Sequence, residues 1–135
     1  MFLRCKMYSQ KNVEYYLRDL YECALSQAKS VEDYRAWFEL AEKKATIDVT
    51  AVEHNVDIDT SELNRTFCAY AMENFGKLSS EINPESPVLV SSVMDYIHDH
   101  SEKAAIIVMD GMSEFDWTIL KRSFAGICYR QSAAF

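Results

Sequence analysis

The chain has 135 residues, 49% hydrophobic and 26% charged, with 7 Phe, 8 Tyr and 2 Trp; this excludes intrinsic disorder and provides a core for one domain or part of a larger one. Its 14 Lys and Arg against 21 Asp and Glu leave a net charge of −7, which opposes attraction to a phosphate backbone or an anionic membrane. No basic run is longer than Lys121-Arg122, so no strong nucleic-acid signal is present.

From residue 12 to 28, Val13, Leu17, Leu20, Ala24 and Ala28 recur at helical spacing, and Tyr16, Tyr21 and Leu25 widen the stripe. Ser30-Val31-Glu32-Asp33 announces a second helix, with a serine cap and acidic residues at the positive end of the dipole. Its stripe is Tyr34, Phe38, Ala41 and Ala45, with Trp37 alongside, and the short connection predicts an antiparallel hairpin. Residues 47–59 stay open between two forms. Ile47, Val49 and Ala51 alternate like a strand, whereas Val49, Val52 and Val56 fit a helix. A third helix starts at Thr60 or Ser61 and carries Leu63, Phe67, Tyr70, Ala71 and Leu78. After a loop over 79–85, Ser86-Pro87 reads as a cap and first-turn proline opening a helix over 88–98, with Leu89, Val93 and Ile97 on one face.

The character changes after Ser101. Residues 104–109 (Ala-Ala-Ile-Ile-Val-Met) are apolar throughout and rich in β-branched side chains, the pattern of a strand covered on both faces. Asp110-Gly111 ends that run, and Ser113-Glu114-Phe115-Asp116 has the spacing of a capping box. A helix over 114–124 follows, with Trp117, Leu120 and Phe124 on one face. Gly126 stands where it would end, and residues 127–130 read as a second strand. The expectation is therefore a mainly helical region over 1–101, followed over 102–135 by the first βαβ unit of a larger α/β sheet domain. Such a central strand needs neighbours on both edges, so the sheet would be incomplete and its open edge available for self-association.

In open α/β sheets ligands bind beyond the carboxyl ends of the strands, which places Asp110 as a candidate metal ligand. As a bare dipeptide, Asp110-Gly111 is also an ordinary turn. The longer run Ile106-Ile107-Val108-Met109-Asp110-Gly111-Met112-Ser113, with Asp116-Trp117 and Leu120, resembles the opening of PglZ domains, a branch of the alkaline phosphatase superfamily. More weakly, Pro87-Val88-Leu89-Val90-Ser91 and the helix bearing Asp95-Tyr96-Ile97 look like the segment that precedes such a domain.

The resemblance implies a metal-dependent hydrolase of phosphorylated or phosphoester substrates, with two active-site metals, usually zinc. It also implies an association with bacterial phage-defence (BREX-like) operons. Asp110 alone matches a metal-ligand role. The family's Thr or Ser nucleophile and its later Asp and His ligands correspond to sequence beyond residue 135, so the 135-residue chain is expected to be inactive by itself. The competing reading is a non-catalytic helical interaction module.

Other candidates are weaker. Side chains in His98-Asp99-His100 diverge if the triplet is helical, and histidines suit helix C-termini. The only glycines are Gly76, Gly111 and Gly126, so no G-x-G-x-x-G turn or P-loop can be written. Cys5, Cys23, Cys68 and Cys128 form no C-x-x-C and read as buried, reduced core thiols. The first residues, Met1-Phe2-Leu3-Arg4-Cys5-Lys6, lack a signal-peptide core, and six apolar residues over 104–109 are too few to span a bilayer. A cytoplasmic location and no membrane partner are expected.

Overall fold

A computed structural model describes residues 10–80, 86–87, 90–100 and 102–124. Helices α1 (Gln10–Ala28) and α2 (Arg35–Glu53) form the expected antiparallel hairpin. Val13 and Leu17 near the start of α1 meet Ile47 and Ala51 near the end of α2. Ala24 and Ala28 at the other end of α1 meet Trp37 and Leu40. The alanines let the two backbones approach closely. The start of α2 is held by Asp33, whose Oδ1 accepts the Arg35 N–H at 2.9 Å. Ser30, the expected cap, instead donates its hydroxyl to the Gln27 carbonyl at the end of α1. Leu20, Tyr16, Phe38 and Ala41 lie off the buried stripe, and Leu40 is buried in place of the expected Phe38 and Ala41.

The ambiguous stretch is helical to Glu53. Its alternating pattern has a physical cause. At 100° per residue, Ile47 and Ala51 share one face, while Ala45 and Val49 share the opposite one. Both faces are covered: Ile47 is 1% exposed against α1, and Val49 is 2% exposed on the strip that faces α6 (Glu114–Leu120). A helix buried on two opposite sides reads like a strand over a few residues. It ends in a Schellman arrangement, with Asn55 at φ +52°, its N–H bonded to the Val52 carbonyl, and the Val56 N–H bonded to Ala51 at 2.8 Å.

Val56 and Ile58 fold back over the Val13–Leu17–Ile47–Ala51 cluster. Thr60 is buried and donates its hydroxyl to Asp48 Oδ1 at 2.9 Å, while Lys44 Nζ holds the other carboxylate oxygen at 2.6 Å. Helix α3 (Ser61–Glu73) then inserts Leu63 beside Trp37 and Leu40, and Phe67 and Tyr70 pack edge-on and tilted against the Trp37 ring. Asn74 interrupts the expected longer helix, and α4 (Phe75–Leu78) follows as a single turn burying Leu78. Ser86 donates its hydroxyl to the Lys77 carbonyl, and residues 88 and 89, whose N–H groups an N-cap at Ser86 would hold, lie outside the described residues. A 3-10 turn at Val90–Ser92 leads into α5 (Val93–His100), a later start than expected; Leu89 lies outside the described residues.

The expected α/β architecture is overturned. Among the described residues there is no strand and no βαβ unit, and every regular element is helical. Residues 104–109 form neither helix nor strand and are exposed, with Ile107 at 79% and Val108 at 82%. The apolar pattern supplied β-propensity, but a strand exists only through hydrogen bonds to a neighbour, and no described element offers an edge. The second expected strand, 127–130, and Gly126 lie outside the described residues. Helix α6 therefore packs on α2 rather than on a sheet, and the 3-10 turn Lys121–Phe124 that continues it reaches α2 through ion pairs. No described helix is long and apolar enough to cross a membrane.

Substitutions on α2 should separate its faces. Val49→Asp is expected to cost more than about 3 kcal/mol, because it buries an unpaired charge between helices. Val52→Asp, at a position 69% exposed, should change stability by about 0.5 kcal/mol or less. Urea denaturation midpoints of the two variants measure the contrast.

Candidate functional site

The residues around Asp110 form a tightly specified local structure. The Met112 N–H bonds to the Met109 carbonyl at 3.3 Å, closing a four-residue turn whose third position is Gly111 at φ +72°. Asp110 does not have positive φ, so the pattern is that of a type II turn, in which glycine is strongly favoured third. A Cβ on Gly111 would meet nothing within 4 Å; the requirement for glycine is conformational rather than steric crowding.

The expected capping box is present. Ser113 has extended dihedrals, and its hydroxyl oxygen accepts the Asp116 N–H at 3.2 Å. In return, Asp116 Oδ2 accepts the Ser113 hydroxyl at 2.6 Å and the Ser113 N–H at 3.2 Å. These bonds, the hydroxyl's foremost, hold the Asp116 carboxyl below the usual aspartate range. Asp110 itself is exposed, just ahead of this capped helix.

Two ion pairs fasten the far end of this unit to α2. Lys121 pairs with Glu42, and Arg122 donates to Glu53 at 2.6 Å. Glu42 and Glu53 are three turns apart and within about 20° of each other around α2, so both stand on the strip carrying Ala45 and Val49. The Arg122 hydrogen bond depresses the Glu53 carboxyl. Asp110 is thus carried by a helix docked on the hairpin, and the segment before it remains uncovered.

A catalytic metal takes at least three protein ligands. Among the described residues, no three His, Cys, Asp or Glu side chains are grouped to hold an ion, so these residues do not by themselves fit the zinc site that the PglZ resemblance implies. His98, Asp99 and His100 are exposed; His100 stacks on Tyr96 with ring centroids 4.2 Å apart, and its Nδ1 lies 2.7 Å from the Tyr96 carbonyl. Cys23 and Cys68 are exposed free thiols on helix surfaces, not the core residues expected, while Cys5 and Cys128 lie outside the described residues.

Sequence reasoning did not single out the Lys44–Asp48–Thr60 linkage; Lys44 and Asp48 sit one helical turn apart, the only local signal available for it. Nor did it find the apolar hollow of about 180 Å³ between α2 and α3, lined by Trp37, Leu40, Leu63 and Phe67 with Lys44 and Asn64 at its polar positions. The Trp37 indole N–H is buried with no hydrogen-bond partner among the described residues.

No family model matches this chain, and neither the curated proteins nor the solved structures include a match.

The capping box has a pH signature. Because the folded Asp116 pKa is depressed, its stabilising contribution is fully present above the unfolded value near 3.9 and lost as pH falls through the lower folded value. Carbon-detected NMR titration should show Asp116 ionising below the ordinary aspartate range. Ser113→Ala should return it to the ordinary range and destabilise α6 by about 1 kcal/mol.

Proposed function

We propose that residues 1–135 are the leading part of a PglZ-like, metal-dependent phosphoryl-ester hydrolase, in which Asp110 supplies one carboxylate ligand to a divalent metal, zinc by the family resemblance. What carries the reading is the order of features around Asp110. An uncharged apolar run leads to an exposed carboxylate on a glycine-dependent turn, followed at once by a capped helix, and the residues match the PglZ opening in type. The chain's own residues then have defined tasks. Gly111 lets the backbone turn sharply at the carboxylate, and the Ser113–Asp116 box fixes where the helix begins. The docked face of α6 anchors both.

The nucleophile and the remaining ligands belong, on this reading, to sequence beyond residue 135, and the substrate is a phosphorylated or phosphoester compound. A bacterial phage-defence (BREX-like) context and a cytoplasmic location accompany the same proposal.

A second reading is favoured by a different observation. The exposure of Ile107 and Val108 suits a helical interaction module in which Asp110-Gly111 is only a turn.

In the longer protein, Asp110→Ala should remove bound metal, read by elemental analysis, and reduce phosphoesterase activity more than about 100-fold while leaving the helical circular dichroism intact. Unchanged metal content would defeat the hydrolase reading and leave the interaction module standing. The purified 135-residue chain should show no metal-dependent turnover of phosphomonoesters or phosphodiesters; turnover would contradict the assignment of its nucleophile to later sequence.

A further inference from the structure

We infer that two copies of this chain associate, weakly and reversibly, by pairing residues 103–110 as antiparallel strands. The inference rests on the uncovered segment and not on the hydrolase reading. Residues 104–109 belong to no helix or strand, so their backbone groups are not committed to regular pairing, and the apolar side chains of Ile106, Ile107, Val108 and Met109 face solvent. The run contains no proline, glycine or charge, and three of its six residues are β-branched, the composition that favours strand pairing with an identical segment.

The flanking charges select the partner and the direction. Lys103 and Asp110 bound the run and are both exposed. In an antiparallel pair with Ile106 opposite the partner's Ile107, each Lys103 stands opposite the partner's Asp110, and both ends of the pairing are satisfied at once. Glu102 then falls opposite the partner's Gly111, away from Asp110. A parallel in-register pair would instead set Lys103 on the partner's Lys103 and Asp110 on the partner's Asp110, which repel.

The turn at 109–112 and the capped helix limit the pairing on one side, and α5 ends at His100 on the other. A two-stranded ribbon with no further cover is marginal in water, which is why the association is weak.

Sedimentation velocity of the 135-residue chain should show a weight-average coefficient that rises with concentration. Ile107→Lys, at a residue the fold does not bury, should weaken dimerisation about tenfold or more with unchanged helical circular dichroism. Lys103→Asp and Asp110→Lys should each weaken it about fivefold, and the double variant should restore it. A wild-type chain monomeric at every accessible concentration, or an Ile107→Lys chain that associates like wild type, would overturn the pairing. Failure of the double variant to restore association would overturn the antiparallel register.

Discussion

Helix α2 is the element on which the rest of the described structure depends, because it is buried on two opposite sides. Leu40, Ile47 and Ala51 form one strip, spaced seven and four residues apart, that packs along α1. Ala45 and Val49 form the other, bracketed by Glu42 and Glu53, which hold Lys121 and Arg122. Remove either partner and the apolar strip it covers would face water, at roughly 25 cal/mol for each Å² exposed. The exposed ion pairs add little energy by themselves. Their use is orientation, since two neighbouring cations reach carboxylates three turns apart only when the 3-10 turn lies between them. Trp37 and Leu40 at the start of α2 also meet Leu63 of α3, in a cluster shared with Ala24 and Ala28 of α1, so α3 rests on both helices of the hairpin.

That arrangement accounts for the contrast between the two ends of the chain's apolar material. The helices bury small and branched residues against one another until Leu17, Ile47 and Val49 are sealed. The run most apolar in sequence, 104–109, is the one left in solvent. Its residues cannot join the helical core because Asp110, the left-handed Gly111 and the Ser113 cap stop α6 from extending backwards through them. Helical hydrogen bonding satisfies each segment internally and leaves no edge to which a strand could add. The unit from 104 to 124 thus combines a docked helix with an undocked apolar lead, and Asp110 sits at their junction.

The chemistry available at that junction is narrow. Asp110 is a solvated carboxylate without a group of companion ligands among the described residues, and its neighbour Asp116 is committed to the helix cap. The proposed PglZ-like role of Asp110 needs other residues to complete it, and the proposed pairing between two copies draws on the same exposed segment. The two are compatible only in sequence, since pairing with a second copy and folding into a larger domain would compete for the same backbone.

Local sequence determined the features whose hydrogen bonds close within a few residues. The Ser113–Asp116 box, the glycine turn after Met109, the α1–α2 hairpin and the start of α3 near Thr60 and Ser61 are of this kind, and each was legible from residue type and spacing. Asp110 follows the apolar run and precedes a helix, but the expected strand, whose carboxyl end it would mark, is absent among the described residues. Tertiary structure decided the rest. Whether Ile47, Val49 and Ala51 alternate as a strand or line two faces of a helix depends on a second helix arriving at the back of α2, which no local pattern encodes. Whether residues 104–109 become a strand depends on an edge elsewhere, because β hydrogen bonds are made between segments and helical ones within them.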